Sequence, residues 1–162
     1  MSAGGARSRV SAGILLFRHT IDGPEVLLGH PGGPFFQARD QGVWSIPKGE
    51  AEDGEDLWAV ALREFGEETG HIVGSSARTI PLGSVTQRGG KVVHAWGVEG
   101  DLDPAQAWSN TFAMEWPPHS GIFIEVPELD RVAWFSPDAA RAVMNPAQAA
   151  LIDALLEALS AA

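Results

Sequence analysis

In the stretch from Gly49 to His71, GEAEDGEDLWAVALREFGEETGH, glutamates stand at positions 64, 67 and 68. Spacings of three and four put them on one face of a helix. Asp53 reads as an N-cap with Asp56 three residues on, and Gly70 reads as the residue just past the C-terminus, so the expected helix runs from about Glu55 to Thr69. Glu64 then stands beside both Glu67 and Glu68, and each like-charge pair costs roughly 0.2–0.5 kcal/mol. All three also lie near the helix C-terminus, where the macrodipole favours cations. A free-standing solvated helix has no reason to be built this way. A hard divalent cation, which takes carboxylate and carbonyl oxygens as ligands, removes both penalties.

The order of residues resembles the Nudix box, G x5 E x7 R E U x E E x G U, in which U is a bulky apolar residue. Gly49, Glu55, Arg63, Glu64, Glu67, Glu68 and Gly70 fill every fixed position without a gap. At ordinary residue frequencies such a match arises by chance fewer than about once in 10^7 starting positions. Phe65 is large for the first apolar slot, and His71 stands where an aliphatic is usual, with Ile72 just after it. These departures bear on local packing, since neither touches the acidic set.

The rest of the chain sets bounds. With 162 residues, 44% of them hydrophobic, it is long enough for one domain with one substantial core. The expected division is a flexible tail over residues 1–9 and a single domain over 10–162. The absence of cysteine removes disulfides, thiolate metal sites and a cysteine nucleophile. No apolar leader or membrane-length run stands out, so a soluble, cytoplasmic protein is expected. The net charge of −10 repels nucleic-acid backbones and argues against an extended nucleic-acid partner. It leaves room for a small polyphosphate, because metal ions and a few local cations can invert the field inside a cleft.

Along the chain, Val10 to Phe17 and Glu25 to Gly29 read as an antiparallel strand pair joined through IDGP. His30 to Gly42 is a long loop in which Phe35 and Phe36 read as core residues in preference to a platform for a base. Val43 to Lys48 reads as a short strand ended by Pro47. Arg78 to Arg88 and Lys91 to Val98 form a hairpin closed by Gly89 and Gly90. Alternation in its second arm separates Val93 and Ala95 from His94 and Trp96. Glu99 to Gly121, too aromatic for a disordered linker, reads as a loop that folds back as a lid. Two short strands follow, Ile122 to Val126 and Arg131 to Phe135. A helix capped by Ser136 comes next, then a last helix whose Leu151, Ile152, Leu155, Leu156 and Leu159 form a stripe for the sheet. The element order is similar to the α/β/α sandwich of Nudix domains, with a mixed central sheet.

By that resemblance, Glu67 and Glu68 are expected as principal metal ligands, Glu64 as a ligand or water-activating base, and the Gly49 carbonyl as a further ligand. Glu55 and Arg63 are expected to bridge loop and helix and orient Glu64. Mg2+ is the expected ion, with Mn2+ able to substitute. Glu128, in PELDRVAWF, resembles the segment that some RNA 5′-pyrophosphohydrolases and dinucleoside polyphosphate hydrolases carry, and is the expected extra carboxylate. Glu115 and Glu125 are lesser candidates. Lys48, in WSIPKGE, resembles the Pro-Lys-Gly segment of diadenosine and diphosphoinositol polyphosphate hydrolases and is expected to contact a phosphate. Trp44 and Trp116 are candidates for stacking on a base, with burial the competing reading for each. Arg88 and Lys91 read as turn charges, and His94 as a structural residue.

The resemblance therefore implies a divalent-metal-dependent pyrophosphohydrolase. Its expected substrate is a nucleoside diphosphate linked to another moiety, a dinucleoside polyphosphate or another nucleotide. The alternatives are an RNA 5′-pyrophosphohydrolase and a noncatalytic module that senses a nucleotide.

Overall fold

A computed structural model of the chain describes residues 9–161; the tail expected over Met1 to Arg9 lies, apart from Arg9, outside them. The apolar run that opens the domain becomes β1 (Val10–Thr20), the strand on which everything else is hung. Its alternate side chains go to opposite faces, with Leu15 and Phe17 in one core and Ala12, Ile14 and Leu16 in the other. That is why the run is apolar at nearly every position, since a strand covered on both sides has no polar face.

One edge of β1 is shared. Its first half pairs antiparallel with β3 (Lys48–Glu50) and its second half with β2 (Gly23–Pro31). The other edge pairs in parallel with β5 (Val92–Glu99), which in turn pairs antiparallel with β4 (Thr79–Thr86). With β8 (Leu129–Phe135) added to β2, the sheet reads β4-β5-β1-β2-β8 and is mixed. Helix α1 (Leu57–Thr69) covers one face, while α2 (Pro137–Val143) and α3 (Ala149–Ser160) cover the other. The α/β/α sandwich is thus as expected, with the Leu151, Ile152 and Leu155 stripe of α3 buried on the sheet.

Four local expectations give way. The box helix begins at Leu57, and its N-cap is Asp56, whose carboxylate accepts the Ala59 N–H at 3.0 Å. Asp53 is displaced as a cap because Glu55 is drawn out of the helix by Arg63 and by the Glu52 N–H. Val43 to Lys48 is not a strand, since Trp44 and Ser45 make only isolated bridges and the strand proper starts at Lys48. Glu99 to Gly121 is not loop throughout. It contains a short 3-10 turn at Pro104–Gln106 and a strand, β6 (Thr111–Glu115), which pairs with β7 (Phe123–Pro127) as a separate hairpin. Phe35 is exposed and Phe36 half-buried, so neither joins the core.

One buried polar residue ties the second half of the chain to the segment leading into β3. Gln148 is fully buried; its Oε1 accepts the Ile46 N–H at 3.0 Å, and its Nε2 donates to Ser45 Oγ at 2.9 Å and Gln87 Oε1 at 2.8 Å. Gln148→Ala strands a buried backbone donor, and the expected cost is about 1–3 kcal/mol. In urea titrations the midpoint should fall with the slope unchanged.

Candidate active site

The helix is placed by its apolar face. Val60, Ala61 and Phe65 are buried against β1 and β5, so Glu64 and Glu68 are turned toward the end of the sheet where β3 crosses. Phe65 fits its slot fully buried, and His71 packs edge-on against it with ring centroids 6.2 Å apart, while Ile72 is exposed. The helix stops at Gly70, which takes the left-handed conformation at φ 74°. The Trp108 indole lies where a Gly70 side chain would go.

A cleft of about 390 Å³ opens at this end, lined by Glu64 and Glu68 from α1, Lys48, Gly49 and Glu50 from β3, and Ser11, Lys91 and Glu128. Glu128 is the residue between β7 and β8. It is held from both sides, its N–H donating to the Asn110 carbonyl at 2.9 Å and its carbonyl accepting the Gly32 N–H at 3.2 Å. Asn110 in turn donates its N–H to the Glu67 carbonyl at 2.8 Å, so one residue's backbone joins the box helix to Glu128.

The electrostatics of the cleft are those of crowded, partly dried carboxylates. Glu68 is 7% exposed. Its carboxyl is pushed up to about 8, first by burial, then by the charges of Glu64 and Glu128, against the pull of Lys48 and a hydrogen bond from the Lys48 backbone. Burial also raises Glu64, with Glu67 adding to it and Arg63 opposing. Burial raises Glu128, where Lys48 opposes. Lys48 is pushed down by burial and by Lys91, and is held up by Glu68, Glu50 and Glu128. Behind the cleft, Arg63 bonds Glu55 at 2.8 Å and approaches Glu64 at 3.6 Å, the bridge expected of that pair. The hydrogen bond from Arg63 holds the Glu55 carboxyl below its ordinary range.

Among the described residues, no group of three or more His, Asp or Glu side chains forms a ready-made metal cluster. The donor set nonetheless suits a hard cation. It is all oxygen, and three of its carboxylates sit in a cleft that resists their charge, a conflict a divalent ion relieves. Ser11 Oγ, fully buried, has no hydrogen-bond partner among the described residues, which marks a place for a water or a ligand oxygen. Glu67 stands outside the cleft lining but close enough to push Glu64 and Glu128 up.

The NUDIX domain family model matches residues 7–155. The chain belongs to the NUDIX family. It carries every glutamate of the box, Glu55, Glu64, Glu67 and Glu68. Nudix hydrolase 7 of Arabidopsis thaliana is 40% identical over 63 residues, which are 39% of this chain and 21% of that protein. An RNA pyrophosphohydrolase of Rhodopseudomonas palustris is 43% identical over 44 residues, 27% of this chain and 25% of that one. The chain thus aligns with a quarter or less of the length of these curated relatives. In fold it is similar to a C. elegans Ap4A hydrolase in a binary complex, with a TM-score of 0.66, 18% identity and coverage of 94% of this chain and 99% of that one. The NUDIX domain of Shewanella oneidensis NrtR, complexed with ADP ribose, gives a TM-score of 0.63 at 19% identity, over 97% of this chain and 91% of that one.

Other expected site residues are placed differently. Trp44 is a core residue, 4% exposed, its ring edge-on to His30 and Phe135 and its Nε1 donating to Asp40, so no face is left for a base. Glu115 accepts the N–H groups of His119 and Gly121 and organises its own turn. Glu125 accepts from Thr111 Oγ1 at 2.6 Å. His94 does not line the cleft, and Trp96 packs against Trp58. Lys91 is more than a turn charge. It lines the cleft and pairs with Glu50 at 3.0 Å. Ser11 and Lys91 were hidden in the sequence because the parallel pairing of β1 with β5 brings them together, and that register is a long-range property.

Proposed function

We propose that this NUDIX domain is a Mg2+-dependent pyrophosphohydrolase that cleaves the diphosphate linkage of a nucleoside diphosphate joined to another moiety, with dinucleoside polyphosphates as the favoured class. The observation that carries this reading is one cleft lined by Glu64, Glu68 and Glu128 together with Lys48 and Lys91. Carboxylates alone would repel a polyphosphate; two lysines among them supply the point charges that phosphate oxygens need.

Glu64, Glu68, Glu128 and the carbonyl of Gly49 would hold the ion, with Glu67 completing the set from the edge. Bound Mg2+ supplies charge neutralisation on phosphoryl oxygens and lowers the pKa of water. Lys48 and Lys91 bind and orient the phosphates. Glu64, raised by its surroundings and steered by Arg63, takes a proton from the attacking water. Loss of that proton acceptor is distinct from loss of a ligand, and Glu64 serves either role from one position.

The test is a panel of diadenosine tetraphosphate, ADP-ribose and 5′-triphosphorylated RNA, assayed with Mg2+ or Mn2+ for released products. The expected result is metal-dependent cleavage with the dinucleoside polyphosphate turned over fastest. Preference for the RNA would favour the second reading, which rests on the 43% identity to an RNA pyrophosphohydrolase over 44 residues and is opposed by the net charge of −10. Binding of ADP without any hydrolysis would make the domain a sensor.

A further inference from the structure

The chain reaches Glu128 from β8 by an irregular step. Along β8 the side chains of Ala133 and Phe135 face the core beneath α2 and α3, and those of Val132 and Trp134 face the core beneath α1. Uninterrupted alternation would carry Leu129 to the first of these sides and Glu128 to the second. The two residues are placed the other way round. Leu129 packs in the α1 core, over Gly29, while Glu128 lines the cleft with Lys48. One extra residue makes the exchange. His30 pairs with Arg131 and Pro31 with Leu129, so Asp130 is a bulge with no residue opposite it.

Such a bulge has to be held, because sliding the strand by one residue keeps the backbone paired and swaps its two faces. His30 is placed to hold it. It is one of the few buried polar side chains, at 0% exposure, and the reaction as proposed does not touch it. Its ring stands edge-on to Trp44, with centroids 5.1 Å apart. Nδ1 lies 2.9 Å from Asp130 Oδ1 and Nε2 lies 2.6 Å from the Arg39 carbonyl oxygen. Both ring nitrogens therefore face acceptors, one on the bulge and one on the loop after β2. Arg131 steadies the Asp130 carboxylate at 3.5 Å, and from the same loop the Gly32 N–H donates to the Glu128 carbonyl.

We infer that His30 and Asp130 are positioning residues: their contact fixes the bulge, and the bulge decides that Glu128 and not Leu129 enters the carboxylate cleft. The inference rests on the pyrophosphohydrolase reading for its effect on turnover, while the facing of residue 128 is a property of the fold. Loss of a group that orients a metal ligand costs about 10–100-fold in metal affinity or activity.

The chain has no cysteine, so a single introduced cysteine reports which way its position faces. Glu128→Cys and Leu129→Cys are labelled in chelator with a charged thiol reagent, each with His30 intact and with His30→Ala. With His30 intact, Glu128→Cys should react faster than Leu129→Cys, since Glu128 is exposed and Leu129 half-buried. His30→Ala should slow the first and speed the second. Without the cysteines, His30→Ala should lower turnover of diadenosine tetraphosphate by about 10–100-fold at a temperature where it is fully folded. His30→Asn keeps a nitrogen donor near the Nδ1 position and should restore most of the loss. Asp130→Ala removes the other half of the contact from an exposed position, and it should change the labelling in the same way even if His30→Ala does not fold. Unchanged labelling in folded His30→Ala or Asp130→Ala overturns the inference. So does a His30→Asn variant as impaired as His30→Ala, or a lower melting temperature with labelling and turnover intact. Should the wild-type protein hydrolyse no nucleotide, the reaction reading fails alone, and the labelling still decides the positioning.

Discussion

Glu68→Gln is expected to abolish most turnover, by about a hundredfold or more in kcat, and to make the protein more stable in chelator at alkaline pH. Both effects have one cause. The Glu68 carboxyl is 7% exposed and faces Glu64 and Glu128, so its folded pKa of about 8 stands far above the ordinary 4.5. A raised carboxylate pKa means the folded state holds a proton that the unfolded state has released. That contribution to stability is fully present below about pH 4.5 and is lost as pH rises through about 8. In chelator, the wild-type melting temperature should therefore fall between pH 6 and pH 9, by an amount worth on the order of a few kcal/mol. Glutamine has no proton to lose, so the variant should match the wild type more nearly at pH 6 and melt above it at pH 9. Glu64 and Glu128 are raised in the same direction, so part of the slope should survive in the variant. Mg2+ replaces the proton as the neutralising charge, and its stabilising effect on the wild type should be larger at pH 9 than at pH 6. Thermal melts of both proteins across that range are the check. A variant that melts below the wild type at pH 9 in chelator would mean that crowding of charge is not what strains this helix.

Gly49→Ala should be nearly as damaging to catalysis through a purely steric route. A Cβ at that position would collide with the Glu64 carboxyl, which rests directly on the glycine backbone. Glu64 must move, and a misplacement of about 1 Å at a catalytic group is enough to cost about a hundredfold. The melting temperature should drop only slightly, because what gives way is the far end of the flexible Glu64 side chain. Because the added methyl and the Glu64 carboxylate compete for one space, the two changes cannot be independent. In a Glu64→Ala background, Gly49→Ala should cost far less stability than it does alone. An undiminished cost there would place the damage in the backbone of β3 and not in the contact.

These expectations come from residues of two kinds, and the difference explains what could be read in advance. The acidic set, the Gly70 stop and the doubly apolar β1 are local patterns: each depends on residues within a turn or a strand of one another, and each was legible. The hairpin arm that sends Val93 and Ala95 to one core and Trp96 to the other is of the same kind. Asp56 displaced Asp53 as the cap because two hydrogen bonds hold Glu55 in the loop, and one of them comes from Arg63, two turns into the helix. Trp44 and Trp116 were indistinguishable as sequence. One is enclosed by β2, α2 and β8 while the other stands on the hairpin, and only tertiary contacts separate them. Strand β6 was missed because its residues are mostly exposed and owe their conformation to β7 rather than to a buried face. Lys91 entered the cleft through strand register, which no window of sequence contains.

Gly70 carries two constraints that differ in origin. Its positive φ belongs to the way the helix ends, and asparagine is the usual substitute that tolerates it. The Trp108 indole adds a second demand, since it fills the space any side chain at 70 would need, and its backbone N–H is anchored to the Thr69 carbonyl at 3.1 Å. Asparagine would satisfy the first demand and violate the second. The last fixed glycine of the box is therefore held by a tryptophan far away in the chain: position 108 can change while Gly70 stays, but a side chain at 70 needs the Trp108 indole replaced or displaced first.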